Sequence, residues 1–377
     1  MPRPSPTEAA GRNGPRERPP HLLFLPVCGG EGTGEYARCL ILAEGARRRW
    51  PAARIRIVAT RGPGAAPEDG FERHWMEGSP TRNTPAVRAL LEGDPPDVAL
   101  FDNSGRTAQL RCARRLGVRS VFVTSRPTTR WRGFQLRRLR RLDQIWIVQP
   151  RSDLASLNPW ERLKLRLLSG TEALFLDTIH PEPDPARLEA LRRTLGLRDE
   201  PYLLFAPGGG GWQVGGRPVS EIFVEAARQA ARESRMRAVV VLGPRNPAPA
   251  AGLGRVLVVG ALRPAEMMDL IAGARLLAIG GGSILGQALS LGRVCVAAAA
   301  GGRDQEERVR RWAREGALEA AETEPGAIAR AVLGLLGEPA RLDAVRARVE
   351  ALGLRNGLPS ALDALGRLVA KPRPGRG

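Results

Sequence analysis

The chain has 377 residues, 43% of them hydrophobic, which is enough to fill the cores of two domains of ordinary size and argues against a largely disordered protein. Its formal net charge of +19 suits a partner such as nucleic acid or an anionic membrane. All but two of the 58 basic residues are arginines, and glycine and proline are abundant, so part of this charge reflects a compositional bias.

Residue types and spacing exclude several common chemistries. Neither of the two lysines, Lys164 and Lys371, follows a glycine, so the chain has no Walker A loop and is not an ordinary P-loop NTPase. The three histidines are too scattered for an HExxH zinc site. The four cysteines include no CxxC pair and fit neither a zinc ribbon nor a disulfide framework, which favours a reducing compartment. No Asp-x-Asp occurs, so the usual metal–diphosphate clamp of one sugar-transfer fold is missing.

The sequence has no pattern of a signal peptide or a membrane span. Residues 1–20 are rich in Pro, Arg and Gly and predict a disordered leader. The longest uncharged stretch, 276–292, contains several glycines and polar residues. It favours a strand, a turn and a helix over a spanning helix of about 20 apolar residues. We therefore expect a cytoplasmic protein.

Short apolar runs alternate with amphipathic stretches along the chain. The runs are rich in β-branched residues or leucine and are bounded by turn formers, which predicts strands at 22–27, 55–60, 98–101, 120–124, 145–148, 202–206, 238–242, 256–259, 276–279 and 294–297. The stretches between them predict helices at 35–49, 108–116, 220–233, 265–272, 283–291 and 306–315. This alternation is typical of parallel sheets covered by helices on both faces.

The two series of five strands predict an α/β chain with two Rossmann-like, doubly wound domains. The predicted segments are a leader, an N-terminal domain, a proline-rich linker, a C-terminal domain, a closing helix and a tail. Their bounds are 1–20, 21–176, 177–187, 188–345, 346–370 and 371–377.

Three glycine-rich loops follow predicted strands, at 28–34, 207–211 and 280–283. Ligands of open α/β sheets bind beyond the carboxyl ends of the strands, where glycine backbone N–H groups and helix N-termini favour phosphate. None of the loops has GxGxxG spacing, so a classical dinucleotide enzyme is not favoured. Each loop alone can be a tight turn, but the two loops in the second half favour a diphosphate-binding cleft.

Three motifs in order along the chain carry a family resemblance. The first is Gly32-Thr33-Gly34-Glu35-Tyr36-Ala37-Arg38; the second is Gly281-Gly282-Ser283-Ile284-Leu285-Gly286-Gln287-Ala288-Leu289; the third is Arg303-Asp304-Gln305-Glu306-Glu307-Arg308. They resemble the GT-B class of nucleotide-sugar glycosyltransferases, in particular the branch of the peptidoglycan lipid N-acetylglucosaminyltransferase and related predicted bacterial glycosyltransferases. The chain departs from that pattern at Glu35, where the family commonly has His, and at Gln287, usually Glu.

The resemblance implies an acceptor side in the first domain, a donor side in the second, and transfer of a sugar from a nucleotide donor, most simply UDP, with no metal and no cofactor. The glycine-rich loops at 28–34 and 207–211 supply further candidates for the diphosphate-binding loops: Gly32, Thr33, Gly34, Gly209 and Gly210. The donor contacts that the resemblance implies are Gly281, Gly282 and Ser283 at the diphosphate, Gln287 at the ribose, Asp304 and Gln305 at the sugar, and Leu262 and Arg263 at the base.

Two carboxylates are candidates for the base that deprotonates the acceptor. Glu35 stands where the family's loop histidine stands, and a carboxylate can act as a general base but not as a cation beside a diphosphate. Asp102 follows the predicted strand at 98–101 and is the alternative base or orienting acid. A first-turn helix acid and a turn-forming aspartate are the structural explanations for the same two residues, and a catalytically silent homologue remains an alternative.

The positive charge is concentrated in one segment. Residues 101–150 contain twelve arginines against only Asp102 and Asp143. The residues expected to form an acceptor or membrane surface are Arg130, Trp131, Arg132, Phe134, Arg137 and Arg138. An interfacial basic helix on an anionic membrane would have this composition, and so would an ordinary amphipathic helix with a solvated arginine face.

Three functions follow, with different partners. The first is an inverting transferase with a nucleotide-sugar donor, a lipid-linked or glycan acceptor and a peripheral position on the inner face of the cytoplasmic membrane. The second is a sugar-nucleotide epimerase or hydrolase of the same fold, which would turn over the donor without an acceptor. The third is a nucleic-acid-binding protein that uses the arginine-rich segment, although no helix-turn-helix, RRM or zinc-finger pattern is present.

Overall fold

The structure, a computed structural model, describes residues 18–27, 34–60, 70–150, 157–168, 170–197, 199–246 and 254–371. The predicted leader, except Arg18 to Pro20, and the tail beyond Lys371 lie outside these ranges, as do Gly32 and Thr33.

The first domain is a seven-stranded parallel sheet in the order β3-β2-β1-β4-β5-β6-β7. Its strands are β1 His21–Pro26, β2 Arg54–Thr60, β3 Glu72–Met76, β4 Val98–Asp102, β5 Arg119–Thr124, β6 Gln144–Val148 and β7 Glu172–Leu176. Its helices are α1 Gly34–Arg49, α2 Thr84–Gly93, α3 Thr107–Arg115, α4 Pro127–Gly133, α5 Leu136–Leu139 and α6 Pro159–Leu168.

The second domain is a six-stranded parallel sheet in the order β12-β11-β8-β13-β14-β15, with a small antiparallel hairpin, β9-β10. Its strands are β8 Tyr202–Ala206, β9 Gln213–Val214, β10 Arg217–Pro218, β11 Arg237–Val241, β12 Val256–Val259, β13 Leu276–Gly280, β14 Cys295–Ala298 and β15 Glu319–Ala321. Its helices are α7 Pro185–Thr194, α8 Val219–Ser234, α9 Pro264–Gly273, α10 Ser283–Ser290, α11 Gly302–Arg314, α12 Pro325–Gly337 and α13 Pro339–Ala351.

The last helix, α14 Leu358–Ala370, returns to the first domain. Its apolar residues join the core that α1 forms on one face of the first sheet, while α13 packs into the core of the second domain. Gly45 permits the close approach of α1 and α14, because a Cβ at that position would lie 3.0 Å from Leu362 Cδ1. The single closing helix expected over 346–370 is thus two helices, interrupted at Gly353, whose φ of +58° is a left-handed conformation that favours glycine.

The prediction of two doubly wound parallel sheets is confirmed, but the strand count of five in each is wrong. The missed strands β3, β7 and β15 are short, partly exposed edge strands. Edge strands need no continuous apolar run because one side faces solvent, so they carry no strong sequence signal. The arginine-rich segment also forms two short helices, α4 and α5, rather than one long one.

Within the described ranges, every helix is too short or too polar to cross a lipid bilayer.

One buried histidine makes the stability of the first domain depend on pH. His21 begins β1 and is 6% exposed, and its Nε2 accepts a hydrogen bond of 2.9 Å from Arg56 Nε. Burial, with the nearby Arg56 charge, lowers the pKa of His21 to about 4. The folded protein therefore binds this proton less tightly than the unfolded chain does, and stability is lost as the pH falls from the ordinary histidine value toward 4.

We expect His21 to contribute a loss of up to about 3 kcal/mol in the free energy of unfolding between pH 7 and pH 4. Urea denaturation of the wild type and of His21→Gln across this range measures it, since glutamine keeps an acceptor for Arg56 and does not titrate. The same pH dependence in both proteins would contradict this assignment.

Candidate functional site

The two sheets bring their carboxyl edges to one cleft. In each sheet the chain runs outward from a central strand and then crosses back, so the strand order reverses between β1 and β4 and between β8 and β13. Such reversals leave a crevice at the carboxyl ends of the strands where ligands bind. A cleft of about 1220 Å³ lies there, lined by residues of both domains.

Two helix N-termini meet across this cleft. α1 begins at Gly34 in the first domain and α10 begins at Ser283 in the second, and a Cβ on Gly34 would lie only 3.3 Å from Ser283 Oγ. Gly282 is the N-cap residue of α10 and offers no side chain to its first turn. The N–H groups of the first turn of α10, which receive no side-chain cap, and the positive ends of both helix dipoles therefore favour an anion at this point.

Three glycines in the loops of the second domain, Gly210, Gly280 and Gly281, leave no room for a Cβ. A Cβ on Gly280 would lie 2.4 Å from the Pro207 carbonyl oxygen, and one on Gly281 would lie 2.9 Å from Val309 Cγ2. Gly210 has a φ of +91° and faces Asn246. Gly209 and Gly282 line the cleft directly. These loops let backbone come close to a ligand at the switch point of the second sheet.

A buried ion pair stands at the switch point of the first sheet. Arg38 of α1 donates hydrogen bonds of 2.7 Å from Nε and from NH2 to the two carboxylate oxygens of Asp102, at the end of β4. Asp102 is 0% exposed and Arg38 is 6% exposed. Burial raises the pKa of the Asp102 carboxyl to about 6, and the Arg38 charge limits that rise.

Glu35 lies one turn before Arg38, with different partners. Its Oε1 accepts hydrogen bonds from Asn103 Nδ2 at 3.1 Å and from Arg126 NH2 at 3.2 Å. Asn103 has a φ of +50°, which asparagine tolerates better than most residues. Its amide also donates to Ser125 Oγ and accepts from Thr129 Oγ1. Both predicted base candidates are thus held within one polar network, and Glu35 itself lines the cleft.

The other predicted donor residues divide into two groups. Leu262, Asp304 and Gln305 line the cleft together with Gly209, Gly282 and Ser283. Arg263 is not among the described residues that line it: its side chain is 68% exposed and lies beside Glu266 on α9. Arg263 is the N-cap residue of that helix, and its backbone N–H donates a hydrogen bond of 2.9 Å to Glu266 Oε2.

Gln287 has a use that the motif does not reveal. Its Nε2 donates a hydrogen bond of 2.8 Å to the carbonyl of Ile179, in the connection between the domains, although the side chain also lines the cleft. Glutamate cannot donate to this carbonyl. The departure from the family pattern therefore has a structural reason, and the amide oxygen and the second Nε2 hydrogen of Gln287 are left to face a ligand.

Sequence reasoning missed two groups in the cleft. Trp212 precedes the β9-β10 hairpin and its ring packs against Gly301. Arg308 of α11 donates a hydrogen bond to the carbonyl of Gly281. Trp212 could have been found from its position directly after the second glycine-rich loop. Arg308 lies within the third motif, but no sequence pattern shows which arginines of an exposed helix turn inward.

The predicted acceptor or membrane surface is only partly exposed. Arg130, Phe134 and Arg138 are buried, which corrects their assignment to a surface. Arg130 forms a buried, two-bond ion pair with Glu161 of α6, and Arg138 bonds to the carbonyl of Gly105. Trp131, Arg132 and Arg137 are exposed.

A neighbouring apolar face was missed. Trp160, Leu163 and Leu167 are 70%, 42% and 68% exposed and lie on one side of α6. Their spacing of three and four residues, typical of a helix face, was visible in the sequence. Because such a pattern normally predicts a buried face, only the structure distinguishes an outward one.

Among the described residues, no group of three His, Cys, Asp or Glu side chains is placed to hold a metal ion.

No family model matches the chain, and no curated protein matches it. Solved structures do match. They include a UDP-glucosyltransferase from Polygonum tinctorium capable of glucosylating indoxyl (14% identity, 94% of this chain and 99% of that one, TM-score 0.60). A second is the calicheamicin glycosyltransferase CalG4 (18% identity, 95% of this chain and 100% of that one, TM-score 0.56). A third is Phytolacca americana UGT2 in complex with UDP-2fluoro-glucose and pterostilbene (12% identity, 93% of this chain and 100% of that one, TM-score 0.58). At these identities the likeness shows the fold: two facing α/β domains of the GT-B type, as in these glycosyltransferases.

The two carboxylates of the first domain should differ sharply in their effect on stability. We expect Asp102→Asn to lower the free energy of unfolding by about 3–5 kcal/mol, because it leaves the buried Arg38 charge without its partner. Glu35→Gln should cost less, about 1–2 kcal/mol: the Glu35 side chain is 7% exposed, but Arg126 is 49% exposed and keeps its contact with solvent, and the amide oxygen still accepts from Asn103. Urea denaturation at neutral pH compares the two, and equal losses would contradict the distinction.

Proposed function

We propose that the protein is an inverting, metal-independent glycosyltransferase that moves a sugar from a UDP donor to an acceptor hydroxyl. One observation carries the proposal most directly: the α1 and α10 N-termini, with the glycine loops beside them, converge on one point of the interdomain cleft. This arrangement suits a nucleoside diphosphate. The GT-B fold supports it, and one structure of that fold holds UDP-2fluoro-glucose.

In this proposal the second domain binds the donor. The N-terminus of α10 and the Ser283 hydroxyl bind the diphosphate, and Asp304 and Gln305 bind hydroxyls of the sugar. Leu262 packs on the base, and the amide oxygen of Gln287 accepts from the ribose. Backbone and side-chain donors would then neutralise the diphosphate without a metal ion.

Glu35 is the general base. It lines the cleft beside the diphosphate point, and its carboxylate can take the proton from an acceptor hydroxyl as that oxygen attacks the anomeric carbon. Asp102 does not suit this role because it is fully buried and both of its oxygens accept from Arg38. We assign Asp102 a positioning role: it orients Arg38, and through α1 the whole first turn that carries Glu35.

Nucleotide binding and turnover test this function. We expect UDP at a hundredfold excess over its dissociation constant to stabilise the protein by about 2.7 kcal/mol, seen as a thermal shift. Glu35→Gln should keep or enlarge this shift, because it removes a negative charge beside the diphosphate, and should lose turnover of the UDP sugar by about a hundredfold or more, because it removes the base. Wild-type turnover that needs no acceptor would favour the hydrolase or epimerase. No shift with any nucleoside diphosphate would contradict the proposal.

We further propose that the acceptor is linked to a lipid and that the first domain lies on an anionic membrane. The support is the exposed face of Trp160, Leu163 and Leu167 on α6, whose other exposed side chains include Arg162 and Arg166. The Arg130–Glu161 bond joins α6 to α4. The exposed side chains of Trp131 and Arg132 on α4 therefore extend the same surface. Apolar side chains within a basic rim suit an interface with anionic lipid.

Vesicle binding tests this surface. We expect the wild type to float with vesicles that contain phosphatidylglycerol and not with neutral phosphatidylcholine vesicles. The double variant Leu163→Ser/Leu167→Ser should weaken binding about tenfold or more, because it removes two side chains that would enter the interface. Trp75→Ala, an exposed tryptophan on β3, is the control. Equal flotation with both lipids, or binding of duplex DNA with similar affinity, would contradict a lipid-specific surface.

A further inference from the structure

The proposed chemistry has an electrostatic problem on the first-domain side of the cleft. Glu35 stands in the first turn of α1, beside the point where α1 and α10 meet. A diphosphate bound there would face this carboxylate, and the leaving nucleotide gains negative charge as the bond to the sugar breaks. Like charges at short range in a partly enclosed cleft repel strongly. A cation on the same side is needed to offset the repulsion.

Arg126 is the cation that the structure offers. It follows β5, lines the cleft, and donates from NH2 to Glu35 Oε1 at 3.2 Å. This ion pair rests on one contact, in which the Arg126 side chain is 49% exposed and the Glu35 side chain is 7% exposed. Because the guanidinium stays in contact with solvent, Arg126 can leave Glu35 for another anion without becoming a buried, unpaired charge, and Asn103 Nδ2 still donates to the buried Glu35 carboxylate.

Among the described residues, the other first-domain arginine that lines the cleft cannot take this role. Arg38 is buried and is committed to Asp102 by two bonds of 2.7 Å. Breaking such a pair would leave a buried charge without compensation. The remaining described arginines that line the cleft belong to α11 in the second domain: Arg303, Arg308, Arg310, Arg311 and Arg314.

We propose that Arg126 exchanges Glu35 for the donor diphosphate when the donor binds, and so becomes a catalytic residue that stabilises the leaving nucleotide. This inference rests on the proposed function. A diphosphate carries more charge than a carboxylate and accepts bidentate bonds from a guanidinium, which favours the exchange. The exchange also frees one lone pair of Glu35, while Asn103 keeps the carboxylate in place.

The transfer step moves one proton, forms one bond and breaks one bond. The acceptor hydroxyl loses its proton to Glu35, and its oxygen forms a bond to the anomeric carbon of the sugar. The bond from that carbon to the β-phosphate oxygen breaks, and its electron pair stays on the diphosphate, where Arg126 donates to the new charge. The products are the glycoside, UDP and protonated Glu35, which returns the proton to solvent.

If Arg126 exchanges partners in this way, its removal should weaken the binding of ligands that carry a diphosphate and leave the binding of the nucleoside unchanged. Isothermal titration of Arg126→Ala with UDP and with uridine should show UDP affinity reduced about tenfold to a hundredfold and uridine affinity unchanged, as expected for one charged hydrogen-bonding group. Arg126→Lys should recover part of the UDP affinity. The control is Arg88→Ala on α2, which removes another half-exposed arginine with one carboxylate contact outside the cleft.

The outcomes separate this inference from the function that it rests on. If the wild type binds UDP and Arg126→Ala binds it equally well, Arg126 does not contact the diphosphate, and the proposed function stands without it. If Arg88→Ala loses as much affinity as Arg126→Ala, the effect is general charge and the inference is wrong. If the wild type binds no UDP, both proposals fail. Far-ultraviolet circular dichroism of each variant shows whether it is folded.

Discussion

The buried pair of Arg38 and Asp102 is the interaction on which the geometry of the cleft depends. Both side chains are almost fully buried, so the cost of removing two charges from water must be offset by short bidentate bonds. The pair fastens Arg38 of α1 to Asp102 at the carboxyl end of β4. This attachment holds the first turn of α1, and Glu35 with it, at the point where the first sheet reverses its strand order.

A second constraint ties the domains together at the back of the cleft. The two chain segments that cross between them bond to each other: Gly357 N–H donates to the Thr178 carbonyl at 2.7 Å, and Asn356 Nδ2 donates to the His180 carbonyl. Gln287 adds a bond from α10 to Ile179 in the same crossing. The helix whose N-terminus faces the cleft therefore also touches the crossing segments. In this way the fold links the second-domain side of the cleft to the first domain.

Arginine serves several distinct purposes in this chain, which explains why net charge alone was a poor guide. Arg38 and Arg130 are buried partners of acids and add nothing to the surface field. Arg126 is half-exposed at the cleft, and Arg132 and Arg137 face solvent. A sequence count treats these as equal charges. Burial and partner decide which of them can attract an anionic ligand or a lipid headgroup.

The α/β class, the central strands and the glycine loops of the cleft followed from the sequence alone. Central parallel strands are covered on both faces, so they appear as apolar runs, and a loop that must let backbone approach a ligand needs glycine. Three things were decided only by tertiary structure: the edge strands, the return of α14 to the first domain, and the partners of the polar side chains. The sequence identified Glu35 and Asp102 as alternatives. The structure gives them different surroundings, because a buried ion pair joins Asp102 to a residue 64 positions away in the chain and no local pattern records such a contact.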